Sequence, residues 1–325
     1  MKLFGALEAG GTKMVCAIGD ENGNILERIS IPTGTPEDTM PPMIEFFKSK
    51  GICALGVGCF GPIDLDKKSE TYGYITTTPK LAWANYPIVA EFEKALGVPV
   101  GFDTDVNAAA LGEATWGCTQ DVENSIYITI GTGIGVGVIN NGKPHHGMIH
   151  PEGGHILLAR HPEDPMERGV CPYHPNCLEG FASGPSVEKR WGKKGIELSD
   201  KPEVWALEAF YLGQAICNYI MILSPQRIIV GGGVVVCQKV VARLEEEHVG
   251  GLLCARFSIV VVPCIEGSCE SGSVSLKGSS HFSKSKLCDY GRVVVVCILF
   301  NSSGELCAGR DASEHQHGSK QLLDF

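Results

Sequence analysis

Residues 125–142 read SIYITIGTGIGVGVINNG, and residues 3–19 read LFGALEAGGTKMVCAIG. Each stretch predicts a strand, a glycine turn and a second strand. The predicted pieces are a strand ending at Leu7, a turn over 8–13 and strands over 14–19 and 24–31, then strands over 125–130 and 136–139 around a turn over 131–135. The triplet at 140–142, Asn-Asn-Gly, adds a tight hairpin signal. Because the same unit occurs twice, the sequence predicts an internal duplication.

The glycines of these turns favour a phosphate-binding role over a dinucleotide-binding one. A dinucleotide-binding Gly-x-Gly-x-x-Gly opens a helix, whereas the glycines at 131, 133, 135 and 137 continue along a strand. Without a Cβ, the backbone of such a turn can come close to phosphate oxygens. The alternative is that these are bulge glycines that bind nothing.

The rest of the chain predicts an α/β protein. Helices are expected over 35–50, 90–96, 106–116 and 202–222, with Pro41 and Pro42 delaying or kinking the first. A strand over 227–230 then leads into Gly231, Gly232 and Gly233. Ligands bind at the carboxyl ends of strands in open α/β sheets, so this is a third candidate binding turn.

Composition limits the classes of function. Hydrophobic residues make up 44% and charged residues 20% of the 325 residues, as in ordinary globular proteins. A formal charge of −10 argues against non-specific nucleic-acid binding. The N-terminus enters a strand-like segment at once, which predicts neither a secretory nor a transit signal, and no apolar run predicts a membrane helix. With 14 cysteines that mostly lie singly in apolar stretches, we expect a cytoplasmic protein without a disulfide framework.

One cysteine pair has metal-ligand spacing. The loop 171–177 reads CPYHPNC and offers Cys171, His174 and Cys177, with His155 upstream as a fourth ligand. Two thiolates and two imidazoles form a closed set suited to structural zinc. The histidines His161, His145 and His146 are competing fourth ligands, and a redox-active or accidental cysteine pair is the other interpretation. Nearby, Glu152 and Glu179 would support the metal ligands or bind a polyhydroxylated ligand.

Asp105 is the candidate catalytic base. It lies in GFDTDVN, residues 101–107, where a strand gives way to a helix. A carboxylate there can face a cleft and take a proton from an attacking hydroxyl. Its structural alternative is a helix N-cap, and Asp103 is a rival by position.

Together these motifs resemble the ROK family of sugar kinases and repressors. EAGGTK at 8–13 and GTGIG at 131–135 look like its two phosphate loops, TDVNAAALGE at 104–113 like its catalytic segment, and EGGH at 152–155 like its sugar-binding box. The segment 171–185 resembles its zinc loop and the residues after it, and 231–234 its adenosine-contacting turn. The resemblance covers roughly residues 3 to 240. It implies an actin-like (ribonuclease H-like) fold with two α/β domains, predicted over 1–115 and 116–280, and a divergent tail over 281–325.

The resemblance also implies roles for individual residues. Asp105 would be the base in transfer of the γ-phosphoryl of ATP, with Mg²⁺, to the 6-hydroxyl of a hexose. The nucleotide would contact Gly10, Gly11, Thr12, Lys13, Thr132, Gly133, Pro185, Gly231, Gly232 and Gly233. The sugar would contact Thr104, Asn107, Glu152, His155 and Glu179, and Asn107 would help to orient Asp105 or its backbone. The Zn²⁺ ligands would be His155, Cys171, His174 and Cys177, and a homodimer is expected.

Departures from the common family pattern point to a subgroup. Glu8 and Thr104 replace residues usual in glucose-type members, and with Cys-Pro-Tyr-His in the zinc loop they are similar to bacterial fructokinases. We therefore expect fructose as the substrate, with mannose or glucose, an inactive sugar-binding relative and a repressor as alternatives. The first phosphate loop begins at Glu8 and leaves no room before it for the DNA-binding module of a repressor. The segment 266–272 only faintly resembles the family's closing turn, as a divergent or frameshifted end would.

Overall fold

The computed structural model describes residues 1–232, 258–261 and 273–275. It divides into two compact units. Unit 1 contains Met1–Glu123 and Gly137–Pro151, and unit 2 contains Asn124–Val136 and the described residues from Glu152 onward. The predicted boundary near residue 115 did not include this return of the chain to unit 1. The predicted tail over 281–325 and the segment 266–272 lie outside the described residues.

Unit 1 is built on a five-stranded mixed sheet of order β3-β2-β1-β4-β5. Its strands are β1 (Leu3–Ala9), β2 (Lys13–Asp20), β3 (Ile25–Pro32), β4 (Ala54–Cys59) and β5 (Val100–Thr104). The first three are antiparallel neighbours, and β1, β4 and β5 run parallel. The three strands predicted around the first glycine turn are therefore present, each within two residues of its predicted ends.

Three helices accompany this sheet: α1 (Pro36–Lys48), α2 (Ile88–Leu96) and α3 (Asp105–Thr115). Large apolar side chains of α1, α2 and the strands form one buried core that includes Phe47, Phe92 and Leu55. Helix α1 begins at Pro36 and continues through Pro41 and Pro42, so the predicted delay of the helix start is wrong. Both prolines lie on the exposed side of the helix. There, carbonyls that lose an N–H partner to proline can bond to water.

A second, six-stranded sheet has the order β11-β10-β9-β6-β7-β8. Its strands are β6 (Ser125–Ile130), β7 (Ile134–Asn140), β8 (Lys143–Pro144), β9 (Arg227–Gly231), β10 (Ser258–Val261) and β11 (Ser273–Ser275). The division between the units falls within β7, after Val136. The predicted hairpin joins β7 to β8, and both Asn141 and Gly142 have positive φ, as a tight turn of this kind requires.

The helices of unit 2 are α4 (Leu178–Ala182), α5 (Gly184–Trp191) and α6 (Pro202–Leu223). Among the described residues, α6 alone is long and apolar enough to cross a membrane, and half of its most apolar window is buried in the structure. It also carries the buried Glu208, which contacts Arg190 of α5 at 3.2 Å. These are the features of a core helix in a globular protein, so its hydropathy is weak evidence for a membrane span.

Candidate functional site

The first glycine turn connects β1 to β2 in unit 1. The N–H of Gly10 donates to the carbonyl of Lys13 at 3.1 Å, which closes the turn. Thr33, directly after β3, braces the turn. Its hydroxyl donates to the carbonyl of Gly10 at 2.8 Å, and its N–H donates to the carbonyl of Thr12 at 3.0 Å. Thr12 and Lys13 are exposed at the tip. The turn therefore has a fixed backbone and presents a hydroxyl and an ammonium group outward.

Lys80 lies beside this turn, and no sequence motif predicted its presence there. A Cβ placed on Gly11 would lie 3.4 Å from Cε of Lys80. The backbone of Lys80 is held by the N–H of Trp83, which donates to its carbonyl at 2.8 Å, and Trp83 is fully buried. A second cation thus lies next to the turn, brought there by a segment far away in the sequence.

The junction of β5 and α3 carries the candidate base. Thr104, not Asp105, is the N-cap, since its side chain accepts the N–H of Asn107 at 3.1 Å. Asp105 is the first residue of the helix, and its Oδ1 accepts the N–H of Val106 at 2.9 Å. The alternative that Asp105 serves as the N-cap is therefore wrong. Its carboxylate still lies at the positive end of the helix dipole, which stabilises the charged form.

Asp103 is held by a dense set of donors. Its Oδ1 accepts the N–H of Thr104 at 2.7 Å and Nδ2 of Asn107 at 2.8 Å. Its Oδ2 pairs with Nε2 of His146 at 2.9 Å. The hydrogen bond to Asp103 raises the pKa of His146, against the opposing effect of burial. The Asn107 side chain therefore holds Asp103.

The second glycine turn connects β6 to β7 in unit 2, and Glu179 braces it. The N–H of Gly131 donates to the Gly133 carbonyl at 2.9 Å. Oε2 of Glu179 accepts the N–H of Ile134 at 2.9 Å, and a Cβ on Gly133 would lie only 2.7 Å from that oxygen. A side chain at position 133 would therefore have to displace the Glu179 carboxylate from the turn. One oxygen of Glu179, predicted to contact the sugar, is thus engaged with the turn.

Other predicted residues of unit 2 lie around the same turn. Glu152, which is exposed, precedes a short 3₁₀ turn over Gly153–His155, and the glycines at 153 and 154 pack against Val136 and the carbonyl of Ile134. The N–H of Gly184, just before the exposed Pro185, donates to the carbonyl of Gly131 at 2.8 Å. The predicted sugar box and the Pro185 segment therefore both adjoin the second glycine turn.

The third glycine turn follows β9 and lies beside the end of β6. Strands β6 and β9 run parallel with Thr129 opposite Gly231, so their carboxyl ends share one edge of the sheet. Gly232 has φ of 102°, and a Cβ there would collide with the backbone of Ile130. Gly231 and Gly232 thus adjoin the second turn, while Gly233 lies outside the described residues.

The Cys/His loop forms a compact cluster. The ligand atoms of His155, Cys171, His174 and Cys177 all lie within 4.8 Å of one another. Sγ of Cys171 is 3.8 Å from Nδ1 of His155 and 3.7 Å from Nδ1 of His174, and Sγ of Cys177 is 3.7 Å from Nδ1 of His155. A tetrahedral ion with bonds of about 2.3 Å to sulfur and about 2.0 Å to nitrogen separates these atoms by about 3.5 Å. The cluster therefore fits a tetrahedral ion.

The chemistry of these donors also calls for a cation. Burial raises the pKa of the Cys177 thiol to about 11, so a thiolate there needs a positive charge beside it. Sulfur and imidazole donors suit zinc and do not suit Mg²⁺, which prefers oxygen. His161, a competing ligand in the sequence, instead packs its ring on Phe210 at 4.6 Å, and His146 pairs with Asp103. Within the part of the chain that the structure describes, neither joins this cluster.

The metal loop is continuous with the brace of the second turn. Sγ of Cys177 accepts the N–H of Gly180 at 3.3 Å and so caps α4. Glu179 lies in the first turn of that short helix. A helix of this length depends on its cap and on packing to hold its shape. The position of Glu179, and with it that of the Gly133–Ile134 backbone, therefore depends on the Cys/His cluster.

These features define a class of protein. Mixed α/β sheets carry a glycine turn in each unit, one unit places a carboxylate at a strand–helix junction, and the other holds a Cys₂His₂ cluster. This is the actin-like architecture of sugar kinases. The chain belongs to the ROK family, whose model matches residues 4–276.

Similar proteins support this assignment. A protein named fructokinase from Streptococcus mutans serotype c (strain ATCC 700610 / UA159) is 45% identical over 250 residues, 76% of this chain and 85% of its own. Another from Lactococcus lactis subsp. cremoris is 40% identical over 279 residues, 84% of this chain and 94% of its own. The ROK hexokinase from Thermus thermophilus is 27% identical, with a TM-score of 0.64 over 75% of this chain and 87% of its own. The family membership that the sequence motifs predicted is confirmed.

Proposed function

We propose that this chain is an ATP-dependent fructokinase that transfers the γ-phosphoryl group of ATP to the 6-hydroxyl of fructose. The observation that carries this proposal is the 40–45% identity to proteins named fructokinase over most of both chains. The junction of β5 and α3 supplies the carboxylate such a reaction needs. Two braced glycine turns supply backbone that phosphates can approach.

Asp105 takes the proton of the 6-hydroxyl in the proposed reaction. As the oxygen–hydrogen bond breaks, that oxygen forms a bond to the γ-phosphorus, the bond from phosphorus to the bridging oxygen breaks, and ADP leaves. The choice of Asp105 over Asp103 is supported by their environments. Asp103 is buried and accepts three hydrogen bonds, whereas Asp105 is partly exposed at the N-terminus of α3.

The glycine turns hold the nucleotide in this proposal. Gly10, Gly11, Thr12 and Lys13 in one unit, and Thr132 and Gly133 in the other, contact phosphates, while Pro185 and the glycines at 231–233 contact the nucleoside. Mg²⁺ bound to ATP supplies positive charge to the transferring phosphoryl group. A Cβ on Gly131 would meet nothing within 4 Å and one on Gly11 only Cε of Lys80, so the backbone at these two positions is open to an approaching phosphate.

The sugar is held by polar groups of the two segments already described. Glu152, His155 and Glu179 accept or donate to its hydroxyls, and Thr104 and Asn107 contribute from the catalytic segment. Glu179 uses Oε2 for the second turn, so the proposed sugar contact falls to its other oxygen. Oδ1 of Asn107 is a buried acceptor without a hydrogen-bond partner among the described residues, which suits a hydroxyl donor.

The ion proposed for the Cys/His cluster is zinc, in a structural role. His155, Cys171, His174 and Cys177 form a closed set of four ligands, so no position remains for a reacting group. When bound, zinc supplies the positive charge that keeps both cysteines as thiolates and orders the loop. Elemental analysis of freshly purified protein is expected to give about one zinc per chain, as the four-ligand set requires. No stoichiometric metal would contradict this.

An ADP-release assay tests the function. Purified protein, ATP and Mg²⁺ are combined with fructose, mannose, glucose or N-acetylmannosamine, and kcat/KM is measured for each. We expect the highest value with fructose. A higher value with another hexose would reassign the substrate within the family, and no ADP release with any of them would refute the kinase. Cytoplasmic location and a homodimer remain predictions.

A further inference from the structure

Asp103 is a buried carboxylate at the end of β5 whose two oxygens are held from different parts of unit 1. Its side chain meets Thr104 and Asn107 on its own strand and helix through Oδ1, and His146 through Oδ2. Asp103 is 8% exposed, and the side chain of His146, which meets it from the solvent side, is 30% exposed. The orientation of Asp103 therefore depends on these three donors.

The donor directions follow from the chemistry of the carboxylate. An ionised carboxylate only accepts, so Asn107 must direct its Nδ2 toward Asp103, and Nε2 of His146 must carry the proton that it donates. This orientation leaves Oδ1 of Asn107 without a partner among the residues described. One orientation of the Asn107 amide and one position of the His146 proton thus give both oxygens of Asp103 a hydrogen-bond donor.

Asp103 in turn fixes the backbone on both sides of Asp105. Its Oδ1 holds the N–H of Thr104 at 2.7 Å, just before Asp105, and the side chain of Asn107 at 2.8 Å, just after it. Thr104 closes the same turn by accepting the N–H of Asn107 at 3.1 Å. Asp105 therefore lies within a small network of hydrogen bonds among Asp103, Thr104 and Asn107.

His146 comes from a segment with its own attachments to unit 1. The N–H of His145 donates to the carbonyl of Val138 at 2.8 Å. Further along, His150 is buried and its Nε2 lies 3.4 Å from the N–H of Ile63. The segment is anchored on both sides of His146 by contacts that do not involve α3. It can therefore serve as a fixed support for the Asp103 side chain.

We infer that His146 is a positioning residue for phosphoryl transfer, acting on the base Asp105 through Asp103. The inference rests on the proposed function, in which Asp105 is the base. Without His146, Oδ2 of Asp103 loses its protein donor on the solvent side, and the carboxylate is free to turn away from Thr104 and Asn107 toward water. A displacement of about 1 Å in a reacting group can reduce a rate by about 100-fold.

Kinetics of three variants test the inference. His146→Ala removes the donor, His146→Gln keeps an N–H donor of similar reach, and His145→Ala changes the neighbouring ring as a control. For His146→Ala we expect kcat to fall by roughly 10- to 100-fold, while KM for ATP changes less than about threefold and KM for fructose, which also depends on Thr104 and Asn107, rises by less than kcat falls. His146→Gln should recover most of kcat, and His145→Ala should match the parent.

Folding is monitored by circular dichroism and the unfolding midpoint. If His146→Ala is unstable, His146→Asn replaces it, because the shorter amide is polar but does not reach Asp103, and the same loss of kcat is expected. In combination with Asp103→Asn, the second substitution should add little, because both act through one network.

Two results would overturn the inference. One is a folded His146→Ala enzyme with kcat within about twofold of the parent, and the other is a loss confined to KM, which would make His146 a ligand contact. Failure of the proposed function itself would be detected separately, as a lack of ADP release by the unsubstituted protein. A parent without ADP release refutes both, whereas an active parent with an unchanged His146→Ala variant refutes this inference alone.

Discussion

At the level of single residues, two aspartates of one strand–helix junction have different surroundings. Asp103 accepts hydrogen bonds on both oxygens from Thr104, Asn107 and His146. Asp105 is the first residue of α3, and its negative charge raises the pKa of the Cys59 thiol, after the larger effect of burial. In the proposed reaction, this difference favours Asp105 as the base and Asp103 as its support.

Asp105→Asn removes the proposed base and keeps the shape of the side chain. We expect kcat to fall by about 100- to 10,000-fold, the usual contribution of a general base, with sugar affinity within about threefold in a calorimetric titration. Asp103→Asn keeps one acceptor oxygen of the two and serves as the matched variant, with a smaller loss. Near-normal turnover of Asp105→Asn would disprove the assignment of the base.

Glu208 is a buried carboxylate in unit 2 whose cationic partner, Arg190, also binds a second acid. Arg190 contacts Glu208 at 3.2 Å and also holds Asp164 at 3.0 Å, so one cation is shared by two acids. Burial raises the pKa of Glu208 to about 8, although Arg190 opposes the shift and Asp164 adds to it. Its Oε2 has no hydrogen-bond partner in the described part of the chain. The neutral acid is the form that this fold accommodates.

The pH dependence of stability follows from that shift. The folded pKa of Glu208 lies above its ordinary value of 4.5. The stabilisation from its neutral form is therefore full below about pH 4.5 and is lost as the pH rises through about 8, with a ceiling of about 5 kcal/mol. Glu208→Gln should lose less stability than the parent in chemical unfolding between pH 5 and 9. Glu203→Gln, exposed on the same helix, should keep the parent's slope, and equal slopes for all three would contradict the prediction.

At the level of elements, the first glycine turn separates a structural glycine from one that faces outward. A Cβ on Gly10 would lie 2.7 Å from the carbonyl oxygen of Lys13, which already accepts the Gly10 N–H. A Cβ on Gly11 would meet only Cε of Lys80, at 3.4 Å. The backbone allows no side chain at the first position and tolerates a methyl group at the second.

Alanine at each position tests what the turn does. Gly10→Ala should lower the free energy of unfolding by about 1–3 kcal/mol, because a backbone carbonyl must move. Gly11→Ala should fold with parent-like stability but raise KM for ATP by about tenfold, since a methyl group lies where a phosphate would approach. A parent-like KM for ATP in Gly11→Ala would contradict the phosphate role of this turn.

The second glycine turn depends on a neighbouring element, the short helix α4. Cys177 caps α4, and Glu179 in its first turn accepts the N–H of Ile134. A metal ion on Cys177 is therefore connected to the Gly133–Ile134 backbone through one helical turn. The connection links a structural metal to a proposed nucleotide contact within a single unit.

At the level of the whole molecule, each compact unit contains a buried tryptophan. Trp83 is buried in unit 1 and Trp205 in unit 2, each about 1% exposed. Within the described residues the Cys/His cluster lies entirely in unit 2. Metal binding should thus stabilise one unit directly.

Metal removal should therefore affect one unfolding step more than the other. After treatment with 1,10-phenanthroline, calorimetry should show the unit 2 transition lowered by about 5–10 °C, because binding free energy contributes to folding. Single-tryptophan variants that keep Trp83 or Trp205 would assign each transition, and added zinc should restore the parent profile. An equal shift of both transitions would indicate that the units unfold as one.

The sequence by itself determined the repeating local features. Alternating apolar residues and glycines predicted the strands around both turns, and the hairpin at 140–142, because period and turn chemistry are local properties. The loop 171–177 likewise carried its ligands in its own spacing, and the family followed from the motif order. The tail over 281–325 lies outside what the structure describes.

Only the tertiary structure decided which residues support the site. Asp103 and His146, Gly11 and Lys80, and Glu179 and Ile134 are far apart in the chain, and no local period relates them. Sequence spacing could not separate Asp103 from Asp105, because both suit a strand–helix junction. Packing brought His146 to Asp103, whose Oδ2 it meets at 2.9 Å, and to the Asn107 amide at 3.4 Å. The choice between the two carboxylates is thus a property of the fold, since hydrogen-bond partners in a buried place are set by tertiary contacts.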